Sequence, residues 1–385
     1  MKKMTVMLLV FLLCGAVVVS AETVRPGLEI GSRVFAYYLY DFSFYPDSDV
    51  RHNRNGRNYF ELGRAELRLT GWASRLFYGE VMAEADRVRA FTVEVAEGES
   101  KRVEPDNYGN YELILKHAFL QANIDRRFNI RAGAIPEPWI VAEEQFWPYR
   151  FVEEPLSIRS GSAWDEADIG VAFLGEFKTY KGGYEIGIIN GEGYKKPEDD
   201  PNKAGYLALK YRTAAGFSAD LAARFEVVDN PEGNLLHAVA TPSLAFGYRW
   251  NDRLICGVEG IMESYIRDQD LSNSLAFYGS LFGSVRVAGL TWLILRGDIY
   301  DYNLDEDAKM NSRRASRVGG GTMTSDEDRE YAAMAGAVWE IDRMLRVGIM
   351  YRLRAWQETY PENQKDAGDT IRPEHIAKAA VEFGF

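Results

Sequence analysis

The last thirteen residues of the chain, Pro373 to Phe385, read PEHIAKAAVEFGF and decide the fold. Every second residue counted back from the end is apolar: Phe385, Phe383, Val381, Ala379 and Ala377. The residues between them are mixed and include the charged Lys378 and Glu382. Because side chains on a β-strand point alternately to opposite faces, this stretch predicts a strand with one apolar and one polar face.

Fifteen earlier stretches show the same alternation. They are 28–42, 58–71, 75–87, 111–124, 128–134, 165–178, 184–190, 204–213, 217–228, 238–250, 254–267, 272–287, 290–302, 326–341 and 345–356. Seven short turns and eight longer polar connections alternate strictly between the strands. Soluble β-sandwiches also alternate, but their strands average only about 5 to 6 residues. The pattern therefore predicts an all-β fold: a closed antiparallel transmembrane β-barrel of about 16 strands, with long extracellular loops and short periplasmic turns.

The composition agrees with a membrane barrel and argues against binding of nucleic acid. The chain has 385 residues and a net charge of −12. Its mean hydropathy of −0.27 resembles that of a soluble protein, but a barrel strand exposes only half of its residues to lipid. After the N-terminal segment, the sequence contains no apolar run of about 18 residues that could form a transmembrane helix. A chain that spans lipid without such helices must close into a barrel, because closure satisfies every backbone polar group.

The N-terminal segment has the features of a cleaved signal peptide. Lys2 and Lys3 precede an apolar stretch, and Val19-Ser20-Ala21 provides small residues for cleavage. We therefore predict a signal peptide at 1–21 and a single barrel domain at 22–385. Lipid attachment at Cys14 is the alternative, but Leu13 occupies the position that needs a small residue. Cleavage at Ala21 would leave one cysteine, Cys256, and no intramolecular disulfide.

Charges on the polar strand faces determine which face points inward. In the second strand, Arg64 and Arg68 alternate with Leu67 and Leu69. A Lys or Arg facing the middle of the bilayer costs about 2–4 kcal/mol, so the charged face must line the interior. A 16-stranded barrel with a charged interior is wide and hydrated. It would serve as a pore for ions and small hydrophilic solutes.

Two motifs resemble a known family. Asp168-Ile169-Gly170-Val171, followed by Tyr184 to Gly191 (YEIGIING), resembles a strand pair of the phosphate-selective porin O and P family. Ile130 to Pro136 (IRAGAIP) is similar to that family's strand leading into the third loop. The terminal Phe385 resembles the signal read by the barrel-assembly machinery. The resemblance implies a 16-stranded, usually homotrimeric channel in the lipid of the bacterial outer membrane.

The third long connection, 135–164, differs from the others because it is rich in aromatic residues. Such a segment is poorly suited to water. It could pack on neighbouring loops or on a subunit interface, or it could fold into the lumen and narrow it, as the family resemblance implies. Its acidic residues are Glu137, Glu143, Glu144, Glu153 and Glu154. The anion specificity of the family does not carry over, because those channels use Lys and Arg at the constriction.

Closure of the barrel would bring the first and last strands together and create a basic arc on the wall. Its predicted members are Arg33, Arg64, Arg68, Arg346, Arg352, Arg354 and Lys378. An acidic third loop opposite this arc would produce a transverse field, and charged groups at a constriction set ion preference. The alternative is that these cations pair with carboxylates in the lumen and only solvate the wall.

A membrane barrel could have two functions other than a pore. A barrel enzyme would need a nucleophile or an acid–base pair near the rim, and His117 has no evident Ser or acid partner in the sequence. The four histidines are scattered, so neither a metal site nor a cofactor is predicted. The remaining alternative is a surface-structural or adhesin barrel without significant conductance.

Overall fold

The computed structural model describes eleven ranges of the chain. They are 27–42, 58–87, 93–96, 99–102, 111–177, 181–195, 201–229, 236–266, 274–302, 329–358 and 370–384. The predicted signal peptide at 1–21 and the terminal Phe385 lie outside these ranges. The predictions for both remain untested by the structure.

Sixteen strands form a closed barrel in which each strand pairs antiparallel with its neighbours. They are β1 (Gly27–Asp41), β2 (Asn58–Trp72), β3 (Phe77–Arg87), β6 (Tyr111–Asp125), β7 (Phe128–Pro136), β8 (Ala167–Glu176), β9 (Gly182–Ile189), β10 (Ala204–Arg212), β11 (Phe217–Asp229), β12 (Leu236–Trp250), β13 (Leu254–Ile266), β14 (Ser274–Ala288), β15 (Thr291–Asp301), β16 (Arg329–Glu340), β17 (Leu345–Glu358) and β18 (Thr370–Gly384). The fold class predicted from the alternation is confirmed.

The seam of the barrel lies between β1 and β18, where Arg33 is opposite Gly384 and Asp41 is opposite Ile376. Four elements were not predicted from the sequence. Two short strands, β4 (Val93–Ala96) and β5 (Glu99–Arg102), form a separate hairpin in the second long connection. The third connection contains two helices, α1 (Pro138–Phe146) and α2 (Leu156–Ser160). Within the described ranges, no helix is long and apolar enough to cross a membrane.

The outer face of the barrel is apolar, as the alternation requires. Leu113, Ile188 and Leu281 have 79%, 64% and 67% of their surface exposed. Their neighbours on the opposite face are turned into the barrel. Exposed apolar side chains repeated around the circumference form a surface suited to lipid rather than to water.

The alternation breaks once on β6, and the break changes the lining of the lumen. The register between β3 and β6 shifts so that Met82 faces His117 while Ala83 faces Leu115. Lys116 is therefore the extra residue of a β-bulge. Lys116 and His117 are both buried inside the barrel, whereas Leu115 is 54% exposed on the outside.

Candidate functional site

The segment between β7 and β8, residues 137–166, lies inside the barrel, and we call it the inner loop. Helix α1 contacts β11, β12 and β13, and α2 contacts β14. The Tyr149 hydroxyl is 3.1 Å from Ser284 Oγ, and Trp164 Nε1 donates to Ser243 Oγ at 2.8 Å. Both serines belong to the inward-facing set. The inner loop therefore packs on the wall formed by β11 to β14.

Small wall residues accommodate the large side chains of the inner loop. Trp139, Trp147 and Leu156 are almost completely buried. A Cβ atom added to Gly348 of β17 would lie 2.8 Å from Val152 Cγ2. The absence of a side chain on the wall thus leaves the space that the loop fills, and the packing excludes water from this side of the lumen.

Glu153 anchors the inner loop to the last two strands of the barrel, β17 and β18. Arg352 Nη1 on β17 lies 3.1 Å from each oxygen of Glu153, and Arg159 also pairs with this carboxylate. Lys378 on β18 donates to the Val152 carbonyl at 2.9 Å. Burial alone would raise the pKa of Glu153, but the adjacent Arg352 and Arg159 hold that pKa well below its usual range.

A second ionic cluster joins the loop to the opposite wall. Lys116 Nζ is 2.9 Å from Glu84 Oε2 and 2.8 Å from Glu166 Oε2. Arg64 Nη1 is 3.0 Å from Glu84 Oε2 and 2.9 Å from Glu166 Oε1. The Tyr194 hydroxyl contacts the same two carboxylates at 3.1 and 2.8 Å. The roles of Lys116, Glu166 and Tyr194 were not predicted from the sequence. For Lys116 the reason is that a bulge on β6 gives no signal in the alternation of apolar and polar residues.

The five predicted acidic residues occupy three different environments. Glu137 and Glu143 are completely buried in the loop packing. Glu153 is the buried anchor. Glu144 pairs with Arg150 and keeps 30% of its side chain exposed, and Glu154 is exposed. Only Glu144 and Glu154 therefore border open space.

Most members of the predicted basic arc form ion pairs. The pairs are Arg33 with Glu66 (2.7 Å), Arg64 with Glu84 (3.0 Å), Arg68 with Glu80 (3.8 Å), Arg346 with Glu382, Arg352 with Glu153 (3.1 Å) and Arg354 with Glu330. Lys378 Nζ instead lies 4.1 Å from the centre of the Tyr37 ring. Arg33 and Arg68 keep 35% and 43% of their side chains exposed. Pairing thus compensates much of the arc while Arg33 still reaches the lumen.

The motif that begins with Asp168 has a structural role. The Asp168 carboxylate accepts hydrogen bonds from the backbone N–H groups of Ile169 (2.6 Å), Gly191 (2.6 Å) and Gly193 (3.4 Å). Gly191 and Gly193 have φ angles of 119° and 79°, which favour glycine. The two halves of the motif are therefore joined by hydrogen bonds that fix the start of the next connection.

His117 has an acid partner that the sequence did not reveal. Its Nδ1 atom is 2.8 Å from Glu80 Oε1 on the adjacent strand. The two residues are 37 positions apart in the chain, so only the strand pairing brings them together. Across the described ranges, no group of three or more His, Cys, Asp or Glu residues is arranged to hold a metal ion.

The comparisons with known proteins place the fold. No family model matches the chain, and no curated protein matches it either. Solved structures do match. An anion-selective porin from Comamonas acidovorans aligns with 94% of this chain and 100% of its own, with a TM-score of 0.61 and 10% identity. The outer-membrane channel DcaP of Acinetobacter baumannii aligns with 95% of this chain and 100% of its own, with a TM-score of 0.60 and 10% identity.

The outer-membrane protein OmpT of Vibrio cholerae, in a trimer form, aligns with 94% of this chain and 100% of its own, with a TM-score of 0.58 and 9% identity. The chain has the porin fold. At such low identities the likeness concerns the fold alone. The general resemblance to porins is confirmed, and the narrower resemblance to the phosphate-selective family stays a prediction.

Because Glu137 is buried, we expect the stability of the barrel to depend on pH. Burial raises the pKa of Glu137 to about 8 from 4.5, against the opposing effect of Arg224. The stability that the protonated carboxyl contributes is therefore fully present below pH 4.5 and is lost as the pH rises through about 8. In Glu137→Gln, the unfolding temperature in detergent should fall less between about pH 5 and pH 9 than in the unsubstituted protein.

The exposed Glu176 on β8 provides the control, because Glu176→Gln should leave the pH dependence unchanged. Circular dichroism of the detergent-solubilised barrels at each pH measures the unfolding temperature. Equal pH dependence in Glu137→Gln and the unsubstituted protein would contradict the assignment of a neutral, buried Glu137.

Proposed function

We propose that the protein forms a water-filled channel for passive diffusion of ions and small hydrophilic solutes across the bacterial outer membrane. The observation that carries this proposal is the position of the inner loop inside a 16-stranded barrel. The loop packs on β11 to β14 and is tied to β17, β18 and the ionic cluster on the opposite wall, while charged side chains of Arg33, Glu144 and Glu154 stay partly exposed beside it. A loop held across the lumen in this way narrows the passage through the barrel.

We further propose that the exposed charges at this level set the selectivity. Glu144 and Glu154 project from the inner loop, and Arg33 and Lys378 project from the seam strands. Glu154 lies within electrostatic range of Lys378. The ion pair between Glu153 and Arg352 would hold the loop at a fixed distance from the wall. Acidic groups on one side of the passage and cationic groups on the other would act on a passing ion.

Selectivity should respond to the partly exposed charges more than to the buried ion pairs such as Glu153 with Arg352. A unit charge about 7 Å away in water contributes about 0.6 kcal/mol, which is a roughly threefold change in permeability ratio. The double variant Arg33→Gln with Lys378→Gln should shift the reversal potential toward cation preference by about that factor, and Glu144→Gln with Glu154→Gln should shift it toward anions. Measurements at low salt limit screening.

The exposed Arg343, at the turn between β16 and β17, is the control for these variants. Arg343→Gln should leave the reversal potential unchanged. If both double variants keep the reversal potential of the unsubstituted protein, these four side chains do not set the selectivity.

We propose the same assembly that porins use: export by a signal peptide at 1–21, recognition of Phe385 by the barrel-assembly machinery, and a homotrimer in outer-membrane lipid. The structure of OmpT from Vibrio cholerae in a trimer form supports the trimer proposal. Chemical cross-linking in detergent below the denaturing temperature tests it. A species of only one chain would overturn the trimer.

Reconstitution into a planar lipid bilayer tests the channel itself. Stepwise conductance increases with an ohmic current at low voltage are expected for a diffusion channel. If purified, folded barrels insert into the bilayer without conductance steps, a surface-structural or adhesin role would replace the channel.

A further inference from the structure

Two cations without a carboxylate in salt-bridge distance lie outside the predicted basic arc. Lys210 on β10 and Arg249 on β12 point inward near the turns of their strands. In the part of the chain that the structure describes, no carboxylate oxygen lies within salt-bridge distance of either residue. Arg249 Nη2 donates instead to the Gln145 carbonyl at 3.2 Å. Lys210 lies opposite Asp220, whose carboxylate pairs with Arg212, so Lys210 and Arg249 leave positive charge beside the turn end of β10–β12.

Two cavities open at this end of the barrel, one on each side of Arg212 and Gln145. Their volumes are about 860 and 600 Å³, and both include these two side chains in their lining. Arg212 Nη2 donates to Gln145 Oε1 at 3.0 Å. Lys210 lines the larger cavity and Arg249 the smaller one. The C-terminal end of α1 thus separates two halves of one vestibule.

Seven charged and four amide side chains line the larger cavity, and the charged ones are Asp125, Arg126, Glu176, Lys181, Glu185, Lys210 and Arg212. The amides are Gln121, Asn123, Asn129 and Gln145. Gln121 accepts from Arg131 Nε at 2.9 Å and donates to Asn123 Oδ1 at 2.6 Å. Amides both donate and accept hydrogen bonds, so a row of them suits a solute with several hydroxyl groups. The acidic residues Glu176 and Glu185 in the same cavity are compensated by Arg126 and Arg131.

The charges in this vestibule favour a singly charged solute. Lys210 and Arg249 would attract a carboxylate through charge-assisted hydrogen bonds. Asp125 lines the larger cavity and Asp252 lines the smaller one, and both would repel additional negative charge on a phosphate dianion. A neutral sugar would use the amides without the cations, and a simple carboxylate would use the cations without the amides. The volume of the larger cavity lies in the range of ligand sites for small molecules.

We propose that this vestibule, lined by Lys210, Arg212, Arg249, Gln145, Asn123 and Asn129, is a binding subsite for singly charged sugar acids. The proposal rests on the proposed channel function, since the solute would reach the subsite through the lumen or leave through it. The amides bind the hydroxyl groups, and the cations bind the carboxylate. A subsite at the turn-side mouth would raise the local concentration of such solutes at one end of the channel.

Single-channel recordings with glucuronate, glucose and acetate on the turn side test the proposal. Glucuronate should interrupt the current in a saturable manner, and glucose and acetate should do so much less. In Lys210→Gln with Arg249→Gln, the charge-assisted hydrogen bond of Lys210 and the attraction of Arg249 are both lost, so the apparent affinity for glucuronate should fall at least about tenfold. Asn123→Ala with Asn129→Ala should weaken the glucuronate block while leaving the weak response to acetate unchanged.

Arg75 and Arg343 provide the matched control, because both are exposed at turns and line neither cavity. Arg75→Gln with Arg343→Gln removes the same charge and should leave the glucuronate block intact. Equal block by acetate, or equal loss in the control, would overturn the subsite. Conductance without any glucuronate block overturns the subsite but not the channel.

A barrel without conductance would overturn the proposed function, and the subsite is then decided by a second measurement. Isothermal titration of glucuronate into the detergent-solubilised barrel needs no ion flow. Saturable binding that is lost in Lys210→Gln with Arg249→Gln supports the subsite. The absence of saturable binding overturns it.

Discussion

Replacement of Glu153 by glutamine is expected to release the inner loop and to raise the single-channel conductance. The carboxylate is nearly buried and receives both Arg352 and Arg159. The amide keeps the shape but cannot compensate two guanidinium groups. Loss of one partner from a buried ion pair costs about 3–5 kcal/mol because the remaining charge is left buried. The segment around Val152 should then leave the wall at β17 and β18 and widen the passage.

The neighbouring Glu154 makes a matched control, since its side chain is exposed and Arg296 reaches only its carbonyl oxygen, at 3.0 Å. Glu154→Gln removes the same charge one position away and should leave the size of the conductance step nearly unchanged at high salt, where surface charge is screened. In Glu153→Gln with Arg352→Met, removal of the stranded guanidinium should restore part of the stability. Equal conductance in Glu153→Gln and Glu154→Gln would contradict the claim that Glu153 holds the inner loop against β17 and β18.

The barrel could be predicted from the sequence because the features that specify it, alternating side chains and short turns, involve residues close together in the chain. Lipid on one side and water on the other require apolar and polar side chains to alternate along each strand. This alternation can be read from neighbouring residues such as Phe383 and Glu382. Strand order follows because short turns allow only neighbouring strands to pair. The break at Lys116 escaped prediction, since a bulge changes the facing of one residue without changing composition.

The candidate site could be predicted only in outline. An aromatic, acidic third connection pointed to residues 135–164, but five similar glutamates could not be told apart. Glu137 and Glu154 differ because one lies against the wall and the other borders open space. The partners of the basic arc depend on contacts such as Arg352 with Glu153, which are 199 positions apart. The charges that stay partly exposed follow from those contacts and include Arg33 and Lys378 at the seam as well as Lys210 and Arg249 near the turn end of β10–β12.

Substitution of Gly247 tests whether the packing of α1 holds the loop in place. Gly247 lies on the inner face of β12, and an added Cβ would fall on the Phe146 ring. The ring is also covered by Arg212, whose guanidinium carbon lies 5.5 Å from its centre. Gly247→Val should expel Phe146 from its site at a cost of about 1–3 kcal/mol or more, because a packed site cannot admit two side chains. The end of α1 should become accessible, and trypsin should cut at Arg150 or Arg159.

The barrel itself should survive this change, which separates loop packing from strand assembly. Gly283 on the outer face of β14 is the control, because the nearest atoms to its added Cβ lie 3.9 Å away. Gly283→Val should stay resistant to trypsin. Phe146→Ala in the Gly247→Val background should restore resistance, since the smaller side chain leaves room for the valine. If both glycine variants are equally resistant, the ring of Phe146 does not hold α1 against β12, and the ionic contacts of Glu153 and Glu166 alone keep the inner loop inside the barrel.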